Sequence, residues 1–295
     1  IIDCQGSTQN PHRAFVTPLE DYEFDFHYTL DGITMRNGYI SDYGPDHEPT
    51  AENAGGAIYE DYYLPSIINC VFENNYADRG GAVASYIPIN WPVFLDVVIH
   101  NCQFANNSAQ QGGAVNLYST SRLQLTDCNF DNNSAGTGNG GACLFDEISG
   151  EVFSQSIARC RFSGNSAADG GAIWTACSFT MTNCLCDFNE ATGDGGALYL
   201  DNYVELYNCT ITNNDAVSGG GVYYQTPLLP CVNCIVWGNG ASNFYPSTPT
   251  SSSPNIFTED PKFRDAANGN YQLLANSPGV DSGYFVGGGI TPDLD

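Results

Sequence analysis

Apolar and polar positions alternate over short stretches of this chain, as at Leu123 and Leu125 and then at Cys128 and Phe130. A period of two marks short strands with one buried face. Gly, Asn and Asp turns interrupt the pattern before a helix has room to form, so each turn is followed by another strand. Two signatures recur in fixed order. The first is a Cys-x-Phe followed by Asn-rich residues: Cys70-Val71-Phe72-Glu73-Asn74-Asn75, then Cys102 to Asn107, Cys128 to Asn133 and Cys160 to Asn165, with a variant from Cys209 to Asn214. The second is Gly-Gly-Ala-aliphatic, which begins at Gly55, Gly80, Gly112, Gly140, Gly170 and Gly195 and ends in the variant Gly219-Gly220-Gly221-Val222.

Self-similarity of this kind predicts a solenoid, because a lone coil of two or three strands cannot bury its apolar face and stacked coils can. The expected class is all-β: a right-handed parallel β-helix in which a coil of roughly 25 residues is repeated about nine to ten times. Residues 1–295 read as one domain, with opening coils over 1–40, regular repeats with loop insertions over 41–240, and a loop and closing segment over 241–295. An acidic loop is expected at 41–53, and insertions near Ile87 to Leu95, which carries Trp91 and Phe94, and near Asp146 to Ser156.

Stacking turns each repeated residue into a column with a spacing of about 4.8 Å. Cys70, Cys102, Cys128, Cys160, Cys184, Cys209 and Cys234 share one inward column, although Cys184-Leu185-Cys186-Asp187-Phe188 permits a register with Cys186 in its place. Parallel Cβ vectors hold such neighbours too far apart for a good disulfide, so the expectation is buried free thiols acting as small hydrophobes. Asn75, Asn107, Asn133, Asn165 and Asn214 form a second column at a tight turn, where left-handed backbone is tolerated and stacked amides can bond from coil to coil. The Gly pairs supply corners rather than phosphate loops, since no Lys or helix pattern follows them.

Chemistry is sparse in this pattern. Cys231-Val232-Asn233-Cys234 has zinc-like spacing without a second pair, the four His show no metal spacing, and no Gly-x-Ser-x-Gly elbow occurs. Arg79, Arg159 and Arg161 fall within repeats, but none sits in an acidic cluster that can be read from the sequence. Asp169 and Asp194 occupy the same slot before Gly-Gly in successive coils, where they stack either as a carboxylate pair or as a solvated corner. No cofactor is expected. Calcium is the one ion the acidity invites, yet the Gly-Gly-x-Gly-x-Asp repeat is absent. Aromatic residues near strand ends, Tyr59, Tyr62, Tyr63, Tyr223 and Tyr224 together with Trp91 and Phe94, are candidates for contact with a glycan or a partner. Asn106, Asn132 and Asn208 lie in Asn-x-Ser/Thr sequons.

With 33 acidic and 8 basic residues the net charge is -25, which repels nucleic acid. No run is long and apolar enough for a membrane helix, no leader pattern precedes Ile1, and the first residue is not Met, so a processed chain is expected. Low Lys, many Asn, Gly, Ser and Thr, and high acidity suit an extracellular or cell-surface location.

The paired Phe-x-x-Asn and Gly-Gly-Ala-Ile/Val/Leu motifs resemble the repeats of the chlamydial-type polymorphic outer membrane proteins and related bacterial β-helix surface proteins, over roughly residues 30 to 240. The resemblance implies a surface-exposed, adhesin-like module. The functional expectation is therefore a non-catalytic scaffold, adhesin-like or a subunit of an extracellular filament. The alternative is a carbohydrate-active β-helix enzyme, a polysaccharide lyase or hydrolase. Expected partners are a polysaccharide or a cell surface, and further copies of the chain joined end to end, because no capping helix opens the sequence and the closing segment keeps apolar residues such as Tyr271, Leu273 and Leu274.

Overall fold

The computed structural model describes residues 1–17, 28–41, 53–61, 64–86, 96–118, 122–146, 155–226, 230–249 and 255–283. Within them the chain winds as a right-handed parallel β-helix. Three parallel sheets form its walls: a first of nine strands from Ile2–Asp3 to Ile235–Trp237, a second of nine from Phe15–Thr17 to Phe244–Tyr245, and a third of eight from Thr29–Asp31 to Cys231–Val232. One turn of the solenoid runs from the third sheet to the first and then to the second, as in Ser66–Ile68, Val71–Glu73 and Val83–Tyr86. Most of the acidic loop and both insertions lie outside the described residues.

Each corner has a chemical cause. Between the third and first sheets one residue takes left-handed backbone in every coil: Asn69, Asn101, Asp127, Arg159, Asn183, Asn208 and Asn233. The next residue is the column Cys, turned inward by that kink. At the far end of the first sheet the left-handed residue is Asn74, Asn106, Asn132 or Asn213, not the ladder Asn that the sequence pattern suggested. The ladder Asn follows it and points into the core, because only there can its amide reach both neighbouring coils. The Gly pair makes the third corner, and at Gly113 an added Cβ would stand 2.0 Å from the carbonyl oxygen of Gly141 in the next coil.

A single apolar cluster fills the interior from Leu30 to Phe244. Its axis is a column in the first sheet, Met35, Phe72, Phe104, Phe130, Phe162, Cys186, Ile211 and Val236. The four Phe rings stack at 4.8, 4.6 and 4.9 Å, one rung apart, nearly parallel. That column also resolves the double Cys: Cys186 pairs with Phe162, so Cys184 stands in the thiol column. Cys143 replaces an aliphatic between Val115 and Ile173.

Beside the Phe column runs the amide ladder. In each rung the backbone N–H and Nδ2 of one Asn both donate to Oδ1 of the next, as from Asn107 to Asn133 at 3.0 and 3.0 Å. The same Nδ2 also donates back to a carbonyl of the coil before, from Asn107 to Phe72 O at 3.0 Å. The ladder includes Asn75, Asn107, Asn133, Asn165 and Asn214, and also Asn189 and Asn239. Gly38 N–H donates to Asn75 at one end, and Asn239 passes the chain to Asn243 at the other. Every buried polar atom in the series has a partner, which is the condition for a polar column inside an apolar core.

The closing segment does not sit over the end of the stack. An antiparallel hairpin, Phe263–Asp265 with Asn270–Leu273, reaches back along the flank to coils well before the last. The end of the first sheet is instead met by Ile256, which bridges Ile235.

Candidate functional site

The returning hairpin creates a large concavity, a groove of about 1160 Å³ beside the corner between the third and first sheets. Its floor is built by the repeat. Arg159, Asn183 and Asn208 are the left-handed corner residues of three successive coils, and Arg161, Leu185, Thr210 and Ile235 are the first outward residues of the strands that follow. The opposite wall is Arg264, Tyr271, Gln272 and Leu273 of the hairpin, continued by Gly279, Val280 and Asp281.

The hairpin is held by an ionic knot that could not be seen in the repeats. Arg161 joins Asp131 at 3.1 Å and Asp187 at 3.1 Å, and also donates to Ser163 at 2.8 Å. Asp187 has no exposed side-chain surface and accepts a further bond from the Tyr271 hydroxyl at 3.0 Å. Burial, with the Asp187 charge beside it, pushes the Tyr271 phenol up, so it stays a donor. Burial also raises Asp131, against the opposing pull of Arg161. With Arg161 on both oxygens of Asp187 and Tyr271 on one, this cluster has the satisfied bonding of a structural clamp.

The corner arginine of the groove floor is also spoken for. Arg159 grips Asp127 two-pronged at 2.6 and 2.6 Å, which holds that carboxyl below its usual range. His100 approaches the same carboxylate at 3.3 Å. Arg264 is exposed and, among the described residues, has no ionic or hydrogen-bond partner.

The thiol column, Cys70, Cys102, Cys128, Cys160, Cys184, Cys209 and Cys234, is buried, and all twelve Cys carry free thiols. Backbone N–H groups donate to the next sulfur, from Cys70 to Cys102 Sγ at 3.4 Å and from Cys102 to Cys128 Sγ at 3.3 Å. Each thiol donates in turn to a carbonyl two residues back, as from Cys102 to His100 O at 3.2 Å. A hydrogen bond with Cys128, with burial, pushes the Cys102 thiol up to about 12. No group of three or more His, Cys, Asp or Glu is placed to hold a metal among the described residues.

The aromatic candidates separate. Tyr62, Tyr63, Trp91 and Phe94 lie outside the described residues. Tyr59 is buried rather than displayed, with Arg13 over its ring, and Tyr224 is buried too. The row that does face outward is Trp174, Tyr199, Tyr223 and Tyr245 on the second sheet, stacked at 5.9, 4.7 and 5.3 Å. The rings cover one another's faces and present their edges. Asp169 and Asp194 stack as a corner, with Asp194 N–H donating to Asp169 Oδ1 at 2.7 Å. Asn106 and Asn132 are exposed, whereas the Asn208 amide donates to Asn183 at 2.9 Å in an outer ladder along the groove floor.

Fold and site together define a right-handed parallel β-helix with a flank groove roofed by its own closing hairpin. A family described as right handed beta helix region matches residues 20–147, and the Chlamydia polymorphic membrane protein repeat matches residues 159–176. The chain is thus a β-helix that resembles the polymorphic membrane protein repeat, which supports a surface protein in general terms. Among curated proteins and solved structures nothing matches the chain. No helix among the described residues is long and apolar enough to cross a membrane.

Proposed function

We propose that this chain is a non-catalytic, adhesin-like scaffold at the cell surface, and that the flank groove of its later coils is where it meets a partner. The groove carries this reading. It is concave, open to solvent and lined by both polar and apolar groups, as binding sites are, while the carboxylates of its floor are committed to Arg159, Arg161 and Tyr271 and Asp281 stands as a single carboxylate on the opposite wall. Hydrolysis of a glycosidic bond needs two carboxyl groups free to face it, one of them able to give up a proton. A rigid stack with satisfied columns suits display rather than turnover.

The test is binding of the labelled chain to cultured epithelial cells. Thr210→Trp fills the groove from an outward strand position without touching the core, and is expected to remove most of the binding. Equal binding by this variant, with an unchanged melting temperature, would place the contact elsewhere and overturn the assignment.

A further inference from the structure

We infer that the flank groove takes a linear, uncharged glycan lying parallel to the solenoid axis; this rests on the reading of the groove as the partner site. The first ground is periodicity. The floor repeats one polar corner group per rung, Arg159, Asn183 and Asn208, and one strand residue per rung, Arg161, Leu185, Thr210 and Ile235. Successive rungs are about 4.8 Å apart, so the four coils span about 14 Å. An extended chain of β-linked hexoses advances by close to one rung per sugar, which lets every residue meet an equivalent set of groups.

The second ground is the type of group. Asn208 donates through Nδ2 to Asn183 Oδ1 at 2.9 Å and accepts at Oδ1 from Asn233 Nδ2 at 2.9 Å, and an amide has two N–H donors and two acceptor lone pairs. Each therefore keeps donor and acceptor capacity for hydroxyls, as does Thr210. Leu185, Ile235, Leu273 and Val280 supply the apolar surface on which the C–H face of a sugar ring rests. Arg264 stands across from them as an exposed fork of donors without a partner among the described residues, suited to a pair of adjacent hydroxyls.

The third ground is charge. Arg159 is matched by Asp127, Arg161 by Asp131 and Asp187, and Asp281 lies on the same wall as Arg264. The groove is thus close to neutral or slightly acidic, inside a molecule of net charge -25. A polyanionic glycan would be repelled on approach. An extended peptide gains most from an open strand edge, and the floor here is side chains of strands already paired on both sides.

The experiment is calorimetric titration of the full chain with cellotetraose, chitotetraose and tetragalacturonate, at low and moderate salt. The expected result is binding of at least one neutral tetrasaccharide, with the acidic one weaker and gaining as salt rises. Arg264→Ala is expected to weaken the neutral ligand about tenfold, since a hydrogen bond to a charged group is worth roughly that factor. The exposed Arg264 side chain makes no hydrogen bond or ion pair with a described residue, so the fold is not at stake, and Thr210→Ala is a second, independent probe. Tighter binding of tetragalacturonate, no binding of either neutral sugar at millimolar concentration, or unchanged affinity in both variants overturns the inference. If the sugars fail while Thr210→Trp still abolishes cell binding, the groove meets a protein and only the glycan assignment falls. If Thr210→Trp leaves cell binding intact, the site itself is wrong.

Discussion

Adjacent asparagines in this chain do opposite work, and the difference is measurable. Asn133 is buried, and its amide accepts from Asn107 and donates to Asn165 and to Phe104 O. Removing it orphans the backbone N–H of Asn107 and a carbonyl in the coil before, so Asn133→Ala is expected to cost roughly 3 kcal/mol. Asn132 is exposed with left-handed backbone, and Asn132→Gly is expected to be almost neutral because Gly adopts that conformation freely. Chemical denaturation of both variants checks the pair; similar losses would mean that the ladder bonds are not what the buried column contributes.

A second residue-scale expectation concerns acid. Asp127 has its carboxyl pKa lowered, first by the hydrogen bond from Arg159 and then by the charges of Arg159 and His100. A folded pKa below the unfolded one gives stability that is present above the unfolded value, about 3.9, and is lost as pH falls through the lowered one. Asn occupies this left-handed corner in most other coils, so Asp127→Asn leaves the backbone undisturbed. Its melting temperature should lie slightly below that of the parent chain at neutral pH and converge with it below about pH 3. The side chains of this pair are part-exposed, so the gap is small. A gap that is constant with pH would show that the ion pair contributes nothing.

At the scale of the element, the coil is set by which backbone can approach which. Gly113 packs against the next coil, where an added Cβ meets a carbonyl, whereas Gly32 has a left-handed backbone but nothing within 4 Å. Gly32→Ala is expected to cost about 1 kcal/mol, the left-handed penalty alone. Gly113→Ala is expected to cost at least about 3 kcal/mol, or to prevent folding, because the atoms that the new Cβ meets are backbone atoms of Gly141 and Ser134, which cannot swing aside. The thiol column belongs to the same scale. In the native protein few thiols should react with a thiol reagent, since all but Cys4 are buried, and denatured, non-reduced protein should yield close to the full complement of twelve. Fewer than about four in the denatured state would mean that neighbouring coils are cross-linked after all, against the spacing argument.

The coil was legible because its signatures repeat. Columns of Cys, Phe and Asn follow from period-two burial and stacking alone. Two ladder members were less legible: Asn189, because the double Cys at 184 and 186 obscures the register and Phe188 stands where the other coils have Asn or Gly, and Asn239, because Val236-Trp237-Gly238 keeps little of the Phe-x-Asn signature before it. The signal was there: the ladder Asn follows the column Cys by the same interval in every coil, from Cys70 and Asn75 to Cys234 and Asn239. The groove was not legible. Tyr271 meets Asp187 across 84 residues, and nothing periodic links a closing hairpin to the flank of a repeat it does not resemble.

For the molecule as a whole the open question is what its stacked sheets do where they stop. Asn255 accepts from Cys234 N–H at 2.7 Å and donates to Cys231 O at 2.8 Å, which caps the corner between the third and first sheets. Ile256 then exchanges backbone bonds with Cys234 and Val236, as an extra rung on the first sheet, and Phe257 packs edge-on to Phe244 at 4.9 Å. The second sheet has no such cover among the described residues, since Phe244–Tyr245 pairs only with Val222 and Tyr223. End-to-end association, the expectation from the sequence, then has one sheet edge to use here, and the charge of -25 opposes it. A contact between unlike ends is heterologous and grows into a filament unless its rotation closes a ring. Ile256→Pro takes away the N–H that Cys234 O receives and so loosens the extra rung without adding charge, while Asn255→Ala frees the corner it caps. Both are expected to raise the apparent mass in light scattering at micromolar concentration, more so in high salt, where the repulsion between copies is screened. If the parent chain and both variants stay monomeric at every salt concentration, the sheet edges do not drive assembly, and the scaffold acts as single copies.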